Sequence, residues 1–183
     1  MTSDPSFEHL LAQGMEASRE NRAHEALALF ARASACQPGS ALPHFLLGSE
    51  HASAGDIAAA EAAFANALLL APDFTLARYQ LGLLQFTSQR PALALLTWQP
   101  LFARPPADPL VHFVRGFEAL ARDSFGESLQ HLRQGLTCND INQAMAADVQ
   151  RVVEAVERLV GAGDGADAPA RHVLLTSYGN GPH

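Results

Sequence analysis

Residues 41–74 read ALPHFLLGSEHASAGDIAAAEAAFANALLLAPDF. Gly48, Ala60, Phe64, Ala67 and Pro72 of this stretch have counterparts 34 residues earlier at Gly14, Ala26, Phe30, Ala33 and Pro38. The same interval leads forward to Gly82, Ala94, Trp98 and Pro106, and once more to Gly116 and Leu132. Self-similarity at a fixed interval of this length marks stacked supersecondary units, each too small to bury its apolar face alone.

Each interval reads as a helical hairpin. In residues 41–74 the pattern predicts a helix from Leu42 to Ser53, a Gly55-Asp56 turn in which Asp56 caps, and a helix from Ile57 to Leu70 stopped by Pro72. Upstream, Asp4 and Pro5 resemble a cap and first-turn proline for a helix of 5–20, and Ala23 to Ala35 forms its partner. Downstream, Leu76 to Thr87 and a helix opened by Pro91 form the third hairpin. Pro100 lies where that helix should continue, so it must kink or end early. The fourth unit is degraded, with Ser128 and Gly135 in place of alanines and Asp140 in place of proline. From Ile141 to Val160 a longer helix puts Met145, Val149, Val152, Val156 and Leu159 on one face, which suits the cap of an array. The expected organisation is an array over 1–160, with units 7–40, 41–74, 75–108 and 109–142 and a capping helix at 141–160. A linker, GAGDGADAPA, follows at 161–170, and a tail at 171–183.

Composition narrows the function classes. Net charge is −7 and all twelve basic residues are scattered arginines, which argues against nucleic acid and anionic membranes as partners. The start MTSDPSFEHL lacks the basic flank and apolar run of a signal peptide, and no later stretch is apolar enough to span a bilayer. These features predict a cytoplasmic protein without membrane insertion. Cys36 and Cys138 are too few for a disulfide framework and are expected as free thiols. His44 and His51 are two helical turns apart, about 10 Å, too far to share one ion. No nucleophile elbow, phosphate loop or recognisable carboxylate pair occurs. The expectation is therefore a protein with no catalytic residues, no metal site and no cofactor.

The set Gly14, Gly48, Gly82, Gly116, Ala26, Ala60, Ala94, Phe30, Phe64, Trp98, Leu132, Pro38, Pro72 and Pro106 resembles the tetratricopeptide repeat (TPR) over Phe7 to Asn142. The fold the resemblance implies is all-α: a right-handed α-solenoid of about four helix-turn-helix units plus the C-terminal capping helix. The chain departs from the family at two seams. Leu10, His44, Arg78 and His112 stand where a bulky apolar residue is usual, and Ala17, His51, Gln85 and Ala119 stand where tyrosine is usual.

The resemblance also implies a peptide-binding groove lined by the first helix of each unit. Carried over position by position, it comprises Leu11 and Met15, with Glu8 and Arg19, from the first unit and Phe45 and Ser49, with Leu42, from the second. The third supplies Leu76, Tyr79, Leu83 and Phe86, and the fourth Leu110, Phe113, Phe117 and Leu120. The aromatic wall in the last two units predicts that Phe113 and Phe117 can be replaced without unfolding. The opposing expectation is that neighbouring helices bury the stripe as core. The subclass that clamps a carboxylate with basic residues is disfavoured, because the chain has no lysine and the corresponding places hold Leu11, Met15, Leu46, Leu76 and Gln80.

The tail adds a pseudo-ligand: Val173, Leu174, Leu175 and Tyr178 are too apolar for an ordinary solvated terminus. A ten-residue linker spans about 17 Å on average and ~35 Å at most, and tethering gives an effective concentration on the order of millimolar. Three functional readings stay open. The first is a scaffold or adaptor that binds an apolar peptide or amphipathic helix, with its groove open to its own tail. The second is a secretion-type, chaperone-like holder of a client protein. The third is a structural protein that self-assembles into a homo-oligomer through the tail.

Overall fold

A computed structural model describes residues 6–138 and 143–162. Among them are nine α-helices, one 3-10 turn and no strand. The helices are α1 Phe7–Arg19, α2 Ala23–Cys36, α3 Ala41–Ser53, α4 Ile57–Leu70, α5 Thr75–Thr87, α6 Pro91–Trp98, α7 Pro109–Ala121, α8 Phe125–Leu136 and α9 Gln143–Ala162. Two compact units divide after Leu84, inside α5.

The repeat is written into the backbone as well as the side chains. Asn21, Gly55, Gln89 and Asp123 all adopt left-handed φ, between 57° and 76°, and they are spaced at the sequence interval. Each is followed by a residue whose amide reaches back five positions: Arg22 to the carbonyl of Ala17, Asp56 to His51, Arg90 to Gln85 and Ser124 to Ala119, all at 2.8–2.9 Å. This bond closes the end of the first helix and turns the chain into the second. Only the second repeat, residues 41–74, supplies glycine at the left-handed position; the others accept the strain of a side chain there.

Helix starts follow the same local logic. Asp56 accepts a hydrogen bond from the amide of Ala59 at 3.1 Å, and Pro91 occupies the first turn of α6. Ser6 caps α1 through the amide of His9, whereas Asp4 and Pro5 lie outside the described residues. Pro100 acts as its chemistry requires: α6 stops at Trp98 and the chain tightens into a 3-10 turn, Gln99–Ala103, which buries Leu101.

In the first unit α1 packs on α2 and α3 on α4. A cluster of Leu10, Leu11, Ala17, Ala26, Leu29, Phe30 and Ala33 is joined by Leu46 and Leu47 from α3. A second cluster collects Ala60 and Phe64 from α4 with Leu81 and Leu84 from α5. The hairpins close on a missing atom: a Cβ at Gly14 would come within 2.4 Å of the Phe30 ring, and one at Gly48 within 2.6 Å of Phe64. The helices approach that closely because glycine is there.

The second unit inverts this arrangement. In the α7–α8 hairpin Gly116 faces the smaller Leu132, while Phe113 on α7 presses against Gly135 on α8, whose Cβ would lie 2.4 Å from its ring. The large residue has moved to the opposite helix, and the alanine position has become glycine to receive it. Helix α9 then covers α8 with Met145, Val149, Val152, Val153 and Val156, all buried. It continues to Ala162, two residues into the stretch read as linker.

Two stability outcomes follow. Gly14→Ala gains about 1 kcal/mol of helix propensity but overpacks against a buried ring at a cost of ~1–3 kcal/mol, so urea unfolding should show a net loss of up to about 2 kcal/mol. Gln89→Gly, at an exposed turn, removes a left-handed strain of about 1–2 kcal/mol and adds ~0.5–1 kcal/mol of chain entropy, so the urea midpoint should rise.

Candidate functional site: the faces of the first helices

Of the fifteen groove positions, eight are buried: Leu11, Tyr79, Leu83, Phe86, Leu110, Phe113, Phe117 and Leu120. The aromatic wall is thus interior. Phe86, Trp98 and Phe117 form a three-ring cluster with centroid separations of 5.2–5.9 Å, and Phe113 fills the notch at Gly135. Rings in mutual contact and shielded from water contribute cohesion rather than a docking face. The expectation that Phe113 and Phe117 are replaceable surface residues is corrected by this packing.

The accessible apolar positions are Met15 on α1, Leu42 on α3 and Leu76 on α5, which are 47%, 40% and 38% exposed; Glu8 and Arg19 are exposed as well. Leu42 and Leu76 occupy equivalent places one interval apart. Beside them Phe45 is half-buried, held by Phe74 and Phe64 at centroid distances of 5.0 and 5.9 Å. Ser49 is also half-buried, and its hydroxyl donates to the carbonyl of Phe45 at 3.1 Å, within its own helix. The Ser18 hydroxyl donates to the Glu50 carboxylate, which joins α1 to α3. All these residues belong to the first unit.

Two of the polar departures, Arg78 and His112, are tethers within their units. Arg78 donates to the carbonyl of Pro72 at 2.5 Å, and Nε2 of His112 lies 2.7 Å from the carbonyl of Pro106. Both reach back six residues to the proline that closes the preceding hairpin. His51 stands 3.9 Å from Asp56. Among the described residues no three potential metal ligands gather, and no helix is long and apolar enough to cross a membrane. Cys36 and Cys138 are free thiols.

Sequence reasoning missed the outer faces of the second helices. Leu69 is 79% exposed and Leu96 70%, with Ile57, Leu70 and Leu93 also exposed. A signal was present, since Glu61 is the only charged residue in α4 and α6 has none.

No protein-family model matches the chain, and no match is found among the curated proteins. Solved structures do resemble it. MamA 41-end from Desulfovibrio magneticus RS-1 is similar at TM-score 0.61 and 18% identity, over 83% of this chain and 95% of that one. The MamA RS-1 ArsTM double mutant has the same TM-score and identity, over 83% and 94%. The Sgt2 TPR domain from Aspergillus fumigatus is matched at TM-score 0.46 and 16% identity, over 91% and 87%. The fold is TPR-like. In this TPR-like, all-α solenoid class the described first helices leave Met15, Leu42 and Leu76 open. Val173, Leu174, Leu175 and Tyr178 of the tail lie outside the described residues.

Phe117→Ala should therefore cost about 3–5 kcal/mol. Trp98, the single tryptophan, reports the loss: its emission should shift red at lower urea than in the parent chain.

Proposed function

We propose that this chain is a non-enzymatic interaction module that takes up an apolar peptide or one face of an amphipathic helix on the first helices of its first unit. The contacts fall to Met15, Leu42 and Leu76, with Phe45 and Ser49 between them. The observation that carries this reading is the exposure of two leucines at repeat-equivalent places beside an exposed methionine. Three long side chains spaced along successive helices suit a ligand that presents apolar residues at intervals. Methionine adds adaptability, because its unbranched thioether fits varied shapes. Leu11, Tyr79 and Leu83, the buried stripe positions of the same unit, are core and do not touch the ligand.

The ligand chemistry present in the chain itself is the tail, RHVLLTSYGN at 171–180. Its Val173, Leu174, Leu175 and Tyr178 make it a pseudo-ligand for this surface, in the same chain or a neighbouring one. Each large apolar side chain buried there yields about 1.5–3 kcal/mol before ordering costs.

Chains lacking residues 171–183 should bind more apolar dye than the full chain and should bind a labelled 171–183 peptide in fluorescence anisotropy. Leu42→Asp with Leu76→Asp should weaken peptide binding at least about tenfold, a loss of ~1.4 kcal/mol or more, with helical circular dichroism unchanged. Peptide binding that is unaffected by both substitutions would place the ligand elsewhere.

A further inference from the structure

The α7–α8 hairpin buries polar atoms with nothing to satisfy them. Nδ1 of His112, Oγ of Ser128 and Nδ1 of His131 have no hydrogen-bond partner. His112 is 5% exposed and Ser128 is fully buried. The two imidazoles come from facing helices and lie nearly parallel, with centroids 6.3 Å apart and planes at 26°. Because the Pro106 carbonyl can only accept, Nε2 of His112 carries the proton of that contact, and Nδ1 is left buried without a partner.

The surroundings favour a neutral His131. From α7, Arg115 repels a charge on His131 and Glu118 attracts one; from α8 itself, Glu127 attracts one. Before α7, Arg104 and Asp108 are paired with each other, and from α9 Glu157 is engaged by Arg133 at 2.5 Å. Burial holds His131 below the ordinary histidine value, Arg115 and His112 push it the same way, and Glu127 and Glu118 oppose them.

We propose that the stacked His112–His131 contact is an acid-sensitive latch on the second unit, closed while the His131 ring is neutral and loosened when that ring takes up a proton. The direction follows from linkage. His131 binds a proton less readily in the folded hairpin than in the unfolded chain, whose imidazole titrates near ~6.5. Its contribution is therefore complete above that value. It is lost as pH falls from there toward the lower folded value. The first unit has no such stacked pair among its described residues, so acid should loosen the second unit selectively.

Trp98 isolates the response, being the only tryptophan, buried, and part of the second unit's ring cluster. Urea unfolding of the full chain, followed by Trp98 fluorescence, is compared at pH 7.5 and pH 5.5 with that of the double variant His112→Gln, His131→Gln. Glutamine retains a donor for the Pro106 carbonyl and does not titrate. The parent should lose stability between the two pH values by more than about twofold in its unfolding constant beyond the change in the variant. Equal pH dependence in the two proteins would overturn the latch. Should the variant fail to fold, the imidazole resonances of the parent chain decide: a His131 signal that titrates below ~6.5 supports the latch, and one at or above that value sinks it.

Discussion

The close crossing of two helices at a glycine is the constraint on which the rest depends. Where Gly14 meets Phe30, and Gly48 meets Phe64, the absent Cβ lets a full aromatic ring lie against backbone. Such contacts gather dispersion energy from every ring atom, and none survives a displacement of even half an ångström intact. Turn strain, proline stops and the left-handed residue at each hairpin tip all serve to bring helices to that distance.

The architecture was legible because these requirements are chemical and local. Glycine and phenylalanine 16 residues apart, an alanine between them and a proline after them leave few alternatives to a tight helical hairpin. Even the interruption at Pro100 could be read, since a missing amide hydrogen acts whatever surrounds it. The cap of α1 was less legible, for Asp4 and Ser6 both suit the role by type.

The groove was harder to read for a different reason. A residue's place on a helix fixes which way it points, but what stands opposite depends on packing across distant residues. Phe45 and Phe113 hold the same place in their units, yet one is half-buried and the other fully enclosed. Gly135 was the clue to the second fate, a residue smaller than the alanine it replaces. Phe86 and Phe117 carried no comparable sign, because Trp98 meets them only in three dimensions. Likewise the contacts of Arg78 and His112 with proline carbonyls could not be told from solvated side chains by residue type.

The inversion of the α7–α8 hairpin bears on how such a chain avoids misassembly. Tandem hairpins built alike invite a helix to pair with the wrong neighbour, or with the same helix of another molecule, since each wrong partner offers nearly the right surface. Phe113 needs the notch at Gly135, and the equivalent Ala33 and Ala67 of α2 and α4 would meet its ring with a methyl group. Leu132 in turn would leave the space beside Gly14 or Gly48 underfilled. The hairpin thus fits its own partner best, and its departure from the repeat works as a key that tells one unit from its copies.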